Sequence, residues 1–244
     1  MNEARMIEFD ESIIANLPAS MISEMLEAGE RVVECHRILS NTSDNIVGEL
    51  LKGVETFYEW NHYPDGDVYD SATHSQYYYH AHPTEERTNE HGHFHTFLRP
   101  DGMPEGVKPA PVENYVAPED PDDALSHLIG ISMDSAGLPI KLFSTNRWVT
   151  GEVWYRAQDV KTLVSSFNID HAQPSWPVNM WVSSIVALFQ PQIMALIDAR
   201  DVKVDQWKKM HPEGDVFEDR TLEVTSELHI DVDSQVSILK NSKH

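Results

Sequence analysis

Basic residues are scarce in this chain. Lys and Arg number 18 against 40 Asp and Glu, which leaves a net charge of −22 over 244 residues. A charge of that sign repels phosphate backbones and anionic lipid, and no local basic cluster offsets it. Neither nucleic acid nor a membrane surface is an expected partner. Cysteine is nearly missing. Cys35 stands alone, so no intramolecular disulfide and no CxxC metal pair can form. Within a helical stretch, Cys35 reads as a small core residue. Long apolar runs are missing too. Met180–Phe189 is the longest, and Ser183 and Ser184 interrupt it, well short of the ~20 residues of a membrane span. The opening segment, MNEARMIEFDES, lacks the basic start and apolar run of a signal peptide, so the expected compartment is the cytoplasm. No glycine-rich phosphate loop and no GxSxG nucleophile elbow occurs.

Apolar residues make up 41% of the chain, enough for a real core. One domain over 1–244 is expected. A helical segment covers 1–60, in which Ile22, Met25, Leu26, Val33 and His36 recur at helical spacing over 11–39. A second short helix follows from Ile46, and the two are expected to pair and cover one face of a sheet. Asn61–Ser71 reads as loop around Pro64-Asp65-Gly66. A sheet then occupies 74–150, with strands at 74–82, 91–98, Leu128–Met133 and Ile140–Val149. The six prolines of 99–123 make that stretch extended, a lid or a strap. A second helical segment covers 155–210, in pieces at Ala157–Phe167, Val178–Phe189, Gln192–Ala199 and Val202–Lys209. A late strand alternates over 221–232. Helices, strands, helices and a strand argue for an α+β fold, a mainly antiparallel sheet packed with N-terminal and C-terminal helices.

What the chain has in excess is histidine, and it is concentrated. Seven of 13 histidines fall within residues 62–95. Side chains of a strand alternate between faces. His80 and His82 therefore share a face, continued by Tyr78, Gln76 and His74. His91, His93 and His95 share one likewise, with Phe97 beyond. If the two strands pair as a hairpin, four or five imidazoles meet. Clustered imidazoles repel when protonated and cost desolvation when buried. A divalent ion removes both penalties, because neutral imidazole nitrogen is a good ligand. The expected ligands are His80, His82, His93 and His95, with zinc or iron as the expected ion. Glu90, His91 and His127 are candidates for a fifth ligand or a supporting hydrogen bond.

In a chain so poor in cations, Arg99 and Arg147 invite a role as anchors of an anionic substrate group. With His91 they form the expected catalytic set, and Glu152 is a further candidate base. The function expected is a metal-dependent hydrolase or oxygenase acting on a small anionic molecule. A non-catalytic metal-binding or sensing protein is the alternative. The isolated His36, His171, His211, His229 and His244 are assigned no role.

Two resemblances accompany these readings. His91-Gly92-His93-Phe94-His95-Thr96-Phe97 resembles the motif of the histidine triad nucleotide hydrolases. That resemblance implies His93 as a nucleophile toward phosphorus, with His91 and His95 orienting it and binding phosphate. It leaves His80 and His82 outside. The segments QYYYHAH, EHGHFHTFLRP, HLIGISMD and FSTNRWVTGE resemble those of an uncharacterised group of bacterial proteins. This second resemblance implies a shared fold family and no particular reaction.

Overall fold

The computed structural model describes residues 5–83, 87, 89–113 and 115–242. Four residues of the expected connector between the histidine strands, 84–86 and 88, lie outside them, as does His244.

The fold is α+β. Seven strands form one sheet in the order β1-β7-β6-β5-β4-β3-β2. They are β1 (Arg5–Met6), β2 (Tyr63–Asp70), β3 (Ser75–His80), β4 (Gly92–Leu98), β5 (Ser126–Met133), β6 (Pro139–Thr145) and β7 (Val224–His229). All neighbours pair antiparallel except β1 with β7. The helices are α1 (Ser12–Ala15), α2 (Ala19–Ser40), α3 (Ile46–Leu50), α4 (Arg147–Thr150), α5 (Ala157–Leu163), α6 (Trp176–Leu188), α7 (Gln190–Met210) and α8 (Val232–Ser242).

The sheet has two unlike faces. Tyr77, Tyr79, Phe94, Leu98, Ile129, Ile131, Leu142 and Leu228 join the main apolar core. They meet α6 and α7. The Tyr77 hydroxyl donates to Asn179 Oδ1 at 2.6 Å, Phe94 packs 5.5 Å from Trp181, and Ser226 Oγ donates to the Leu196 carbonyl. The other face carries Tyr78, His80, His93, His95, Phe97 and Phe143. These are buried yet stand outside that core.

Several elements differ from expectation. Asn61–Ser71 is no simple loop, because β2 adds an edge strand there against β3. Its Pro64 and Gly66 read as turn residues, but an edge strand tolerates both where the ladder is irregular. Pairing skips between Tyr63 and Val68. The strand expected over 140–149 stops at Thr145. Asn146 Oδ1 then accepts from the Arg147 backbone N–H and opens α4, so Arg147 sits on a helix. Pro191 occupies the first turn of α7, where a missing N–H costs nothing, and α7 runs unbroken to Met210. α6 and α7 bend by 71° at their junction. α2 packs on α6 and α8, so it forms an outer layer instead of covering the sheet directly. The final helix, α8, was not anticipated. Among the described residues, no single helix is long and apolar enough to cross a membrane.

The proline-rich stretch is a strap. Ala110 N–H donates to the Trp154 carbonyl, and Ala110 and Val112 pack on a small second cluster of Trp154, Val204, Trp207, Val216 and Leu222.

Candidate metal centre

The register of β3 with β4 builds the centre. His80 pairs directly with His93, and Tyr78 with His95. Directly opposed residues of an antiparallel pair project to the same side, so the two imidazole pairs share one face. His80 Nε2 and His93 Nε2 lie 2.7 Å apart. His82, just past β3, completes a trio with them. One ligand atom from each of His80, His82 and His93 lies within 4.8 Å of the others.

A carboxylate fixes the tautomer of His93. Its Nδ1 is 2.7 Å from Glu90 Oε1. A carboxylate only accepts, so Nδ1 carries the hydrogen and donates it. Nε2 is then a bare lone pair aimed at the trio. Carboxylate-backed histidines of this kind are common around metals. Glu90 is itself buried and stands 3.7 Å from Arg87. Arg87 also binds Glu223 at 2.5 Å and lies over the Phe143 ring.

Burial keeps His80, His93 and His95 neutral. His80 is 9% exposed, His93 1% and His95 0%. Desolvation disfavours the imidazolium form. It takes His80 down to about 3, with further lowering from the neighbouring His82, His62 and Arg87. His93 and His95 are held well below the usual imidazole range for the same first reason. Neutral rings are what a metal requires.

His95 stands beside the trio. Its ring lies 4.9 Å from His93 and 5.3 Å from His80. Its Nδ1 meets His127 Nε2 at 2.9 Å, while its Nε2 is buried without a hydrogen-bond partner among the described residues. A buried orphan nitrogen is costly unless something outside the protein meets it. His127 is taken down to about 3 by burial and by Arg200, and its backbone N–H donates to Glu152 Oε2 at 2.7 Å. Glu152 is fully buried, and that burial raises its carboxyl to about 8 against the pull of Arg200 and the His127 N–H.

The three expected catalytic residues lie apart from this cluster. His91 precedes β4. Its Nδ1 meets the hydroxyl of Tyr79, a residue of the helix-facing side, at 2.6 Å. It therefore leaves the face it was expected to share with His93 and His95. With His91 elsewhere and His93 Nε2 turned to His80, the three histidines do not form the flanked nucleophile that the triad resemblance implies. Arg147 pairs with Glu218 and donates to the Glu152 carbonyl. Arg99 is held by Asp123 at 2.5 Å and by Gln76 Oε1, and it lines a cleft of about 900 Å³ next to the histidine face. Each guanidinium is thus already engaged by an acidic side chain.

Two residues of that cleft reach the centre. The Trp60 ring lies 4.1 Å from His82. His62 stacks on Tyr78 at 3.6 Å and lies 5.8 Å from His80. Sequence spacing missed Trp60, and it missed Arg87. Both come from irregular segments with no period to read.

Comparison with known proteins adds a family and no activity. No curated protein matches this chain, and no solved structure does. A family model described as a domain of unknown function (DUF6969) matches residues 26–230, which include every residue of the histidine centre, and the chain belongs to that family.

Proposed function

We propose that this protein is a metal-dependent enzyme acting on a small molecule, with His80, His82 and His93 holding a divalent ion. The convergence of these three ligand atoms within 4.8 Å carries the reading. Neutral rings and the Glu90-fixed tautomer of His93 support it. Zinc and iron both suit imidazole ligands. Three histidines leave at least one position open. Such an ion would supply activation of a water or a seat for dioxygen, so hydrolysis and oxygenation are the two chemistries the ligand set would serve. His95 Nε2, unpaired beside the trio, is placed to accept a hydrogen bond from such a water or to become a fourth ligand. The adjoining cleft, walled by Trp60 and His62, is the approach route for a substrate.

Elemental analysis of protein purified without chelator tests the reading. About one transition-metal ion per chain is expected, with loss in both His82→Ala and His93→Ala. Protein that takes up neither zinc nor iron, or variants that keep a full complement, would overturn it.

The near-complete burial of His93 and His95 favours a second reading, metal binding without turnover. Cobalt-substituted protein separates the two. A visible spectrum that shifts on adding azide indicates an open position, and an unresponsive tetrahedral spectrum indicates a closed site.

A further inference from the structure

The cleft beside the histidine face is acidic and aromatic. Asp65 and Asp67 line it together with Tyr58, Trp60 and His62. Tyr58 is 60% exposed and Trp60 55%, so the fold leaves two large ring systems open to a ligand. Arg99 is the cation on its wall, and its charge is already answered. Asp123 Oδ1 lies 2.5 Å from its Nη1 and Asp122 Oδ2 3.9 Å away, and its guanidinium lies over the Tyr69 ring. Asp67 is engaged by His62 and by the Gln76 amide. Asp65 is different: its carboxylate has no ion-pair or hydrogen-bond partner among the described residues. The local field is therefore negative, in a molecule whose net charge is −22. Such a cleft repels carboxylates and concentrates cations. Aromatic faces add attraction for a cation through their quadrupole.

We propose that this cleft binds a small organic cation, an amine- or guanidine-bearing molecule. Asp65 provides the opposing charge, and Tyr58 and Trp60 provide the ring faces. A molecule seated there is one ring away from the trio, because Trp60 packs on His82 and His62 lies near His80. As the class of substrate, the assignment rests on the metal-centre reading; as a binding site, it does not. It is an alternative to the anionic substrate that the two arginines imply.

Calorimetric titration of the full chain, chelator-treated and metal-loaded in parallel, tests it. Agmatine and spermidine are the probes, with succinate and glucose as the anionic and neutral controls. Saturable binding of at least one amine is expected in both preparations, weakening as salt rises. Asp65→Asn and Tyr58→Ala should each weaken it by about five-fold. Both positions are on the surface and touch none of the histidines, and unchanged thermal unfolding of the variants would show that the fold is intact. Three outcomes would overturn the proposal. Neither amine binds up to about 10 mM; a control binds more tightly than both amines; or neither substitution changes the affinity. Amine binding by a protein that never takes up metal would remove the metal-centre reading and leave this one standing.

Discussion

His80 and His93 occupy directly paired positions on β3 and β4, and their Nε2 atoms face each other at 2.7 Å. Two lone pairs cannot both point along that line. Glu90 holds the hydrogen of His93 on Nδ1, so in the metal-free protein His80 must donate from Nε2. Were these two rings to hold a metal, His80 would have to shift its hydrogen to Nδ1, so that both Nε2 atoms present lone pairs.

Removing the carboxylate behind His93 should therefore weaken the centre without dismantling it. Glu90→Ala is expected to lower metal affinity by about 10–100-fold. Glu90→Gln, which still accepts the Nδ1 hydrogen but lacks the charge, should lose less. Competition with a chromophoric chelator measures both. Equal affinity in all three proteins would deny Glu90 this role.

Gly92 is predicted to be irreplaceable even by alanine. A Cβ there would lie 2.5 Å from the His80 carbonyl oxygen and 2.5 Å from the Tyr79 hydroxyl. The first is backbone and cannot step aside. Gly92→Ala should cost about 1–3 kcal/mol in denaturant unfolding. It should also lower metal content, because the displaced strand carries His93.

His127 should contribute to the acid limb of the stability profile, beside the other depressed imidazoles His80, His93 and His95. Its folded-state value, about 3, lies below the ordinary 6.5. The unfolded chain therefore takes up the proton first. The stabilisation is complete above pH 6.5 and declines as pH falls from 6.5 toward 3. Chemical unfolding of metal-free protein should show this decline, and His127→Gln should make it shallower by one histidine's share. An identical slope in the variant would contradict the assignment.

Glu152 acts in the opposite sense. Its folded-state value of about 8 lies above the ordinary 4.5. The folded protein retains the proton that the unfolded chain releases. Its contribution is complete below pH 4.5 and is lost as pH rises from 4.5 to 8, at up to ~1.4 kcal/mol per pH unit. Glu152→Gln cannot ionise and should remove this slope. Wild type and variant compared from pH 5 to 8 would show it, and parallel curves would argue against a buried neutral carboxyl.

Much of the centre was legible because alternation in a strand is a rigid rule. His80 and His93, with Tyr78 and His95, follow directly from two HxH repeats and one hairpin. The rule ends where a strand ends. Asn89 adopts a positive φ and β4 begins at Gly92, so alternation did not reach His91. Arg147 was assigned to a strand because Ser144-Thr145-Asn146 reads as one, although Asn146 also caps a helix. β2 was hidden by Pro64 and Gly66, residues that mark turns in sequence but are allowed on a sheet edge. α8 was hidden because Ile230 and Val232 extend the alternation of β7 beyond its end. Trp60 and His62 reach the histidines through a fold-back that no local pattern encodes.

The sheet works as a partition. Its helix-facing side contains the apolar contacts that hold the domain together, while the imidazoles, Glu90 and the cleft lie on the reverse. Substitutions on the reverse side can thus reshape the histidine cluster or the cleft while the main core keeps its packing.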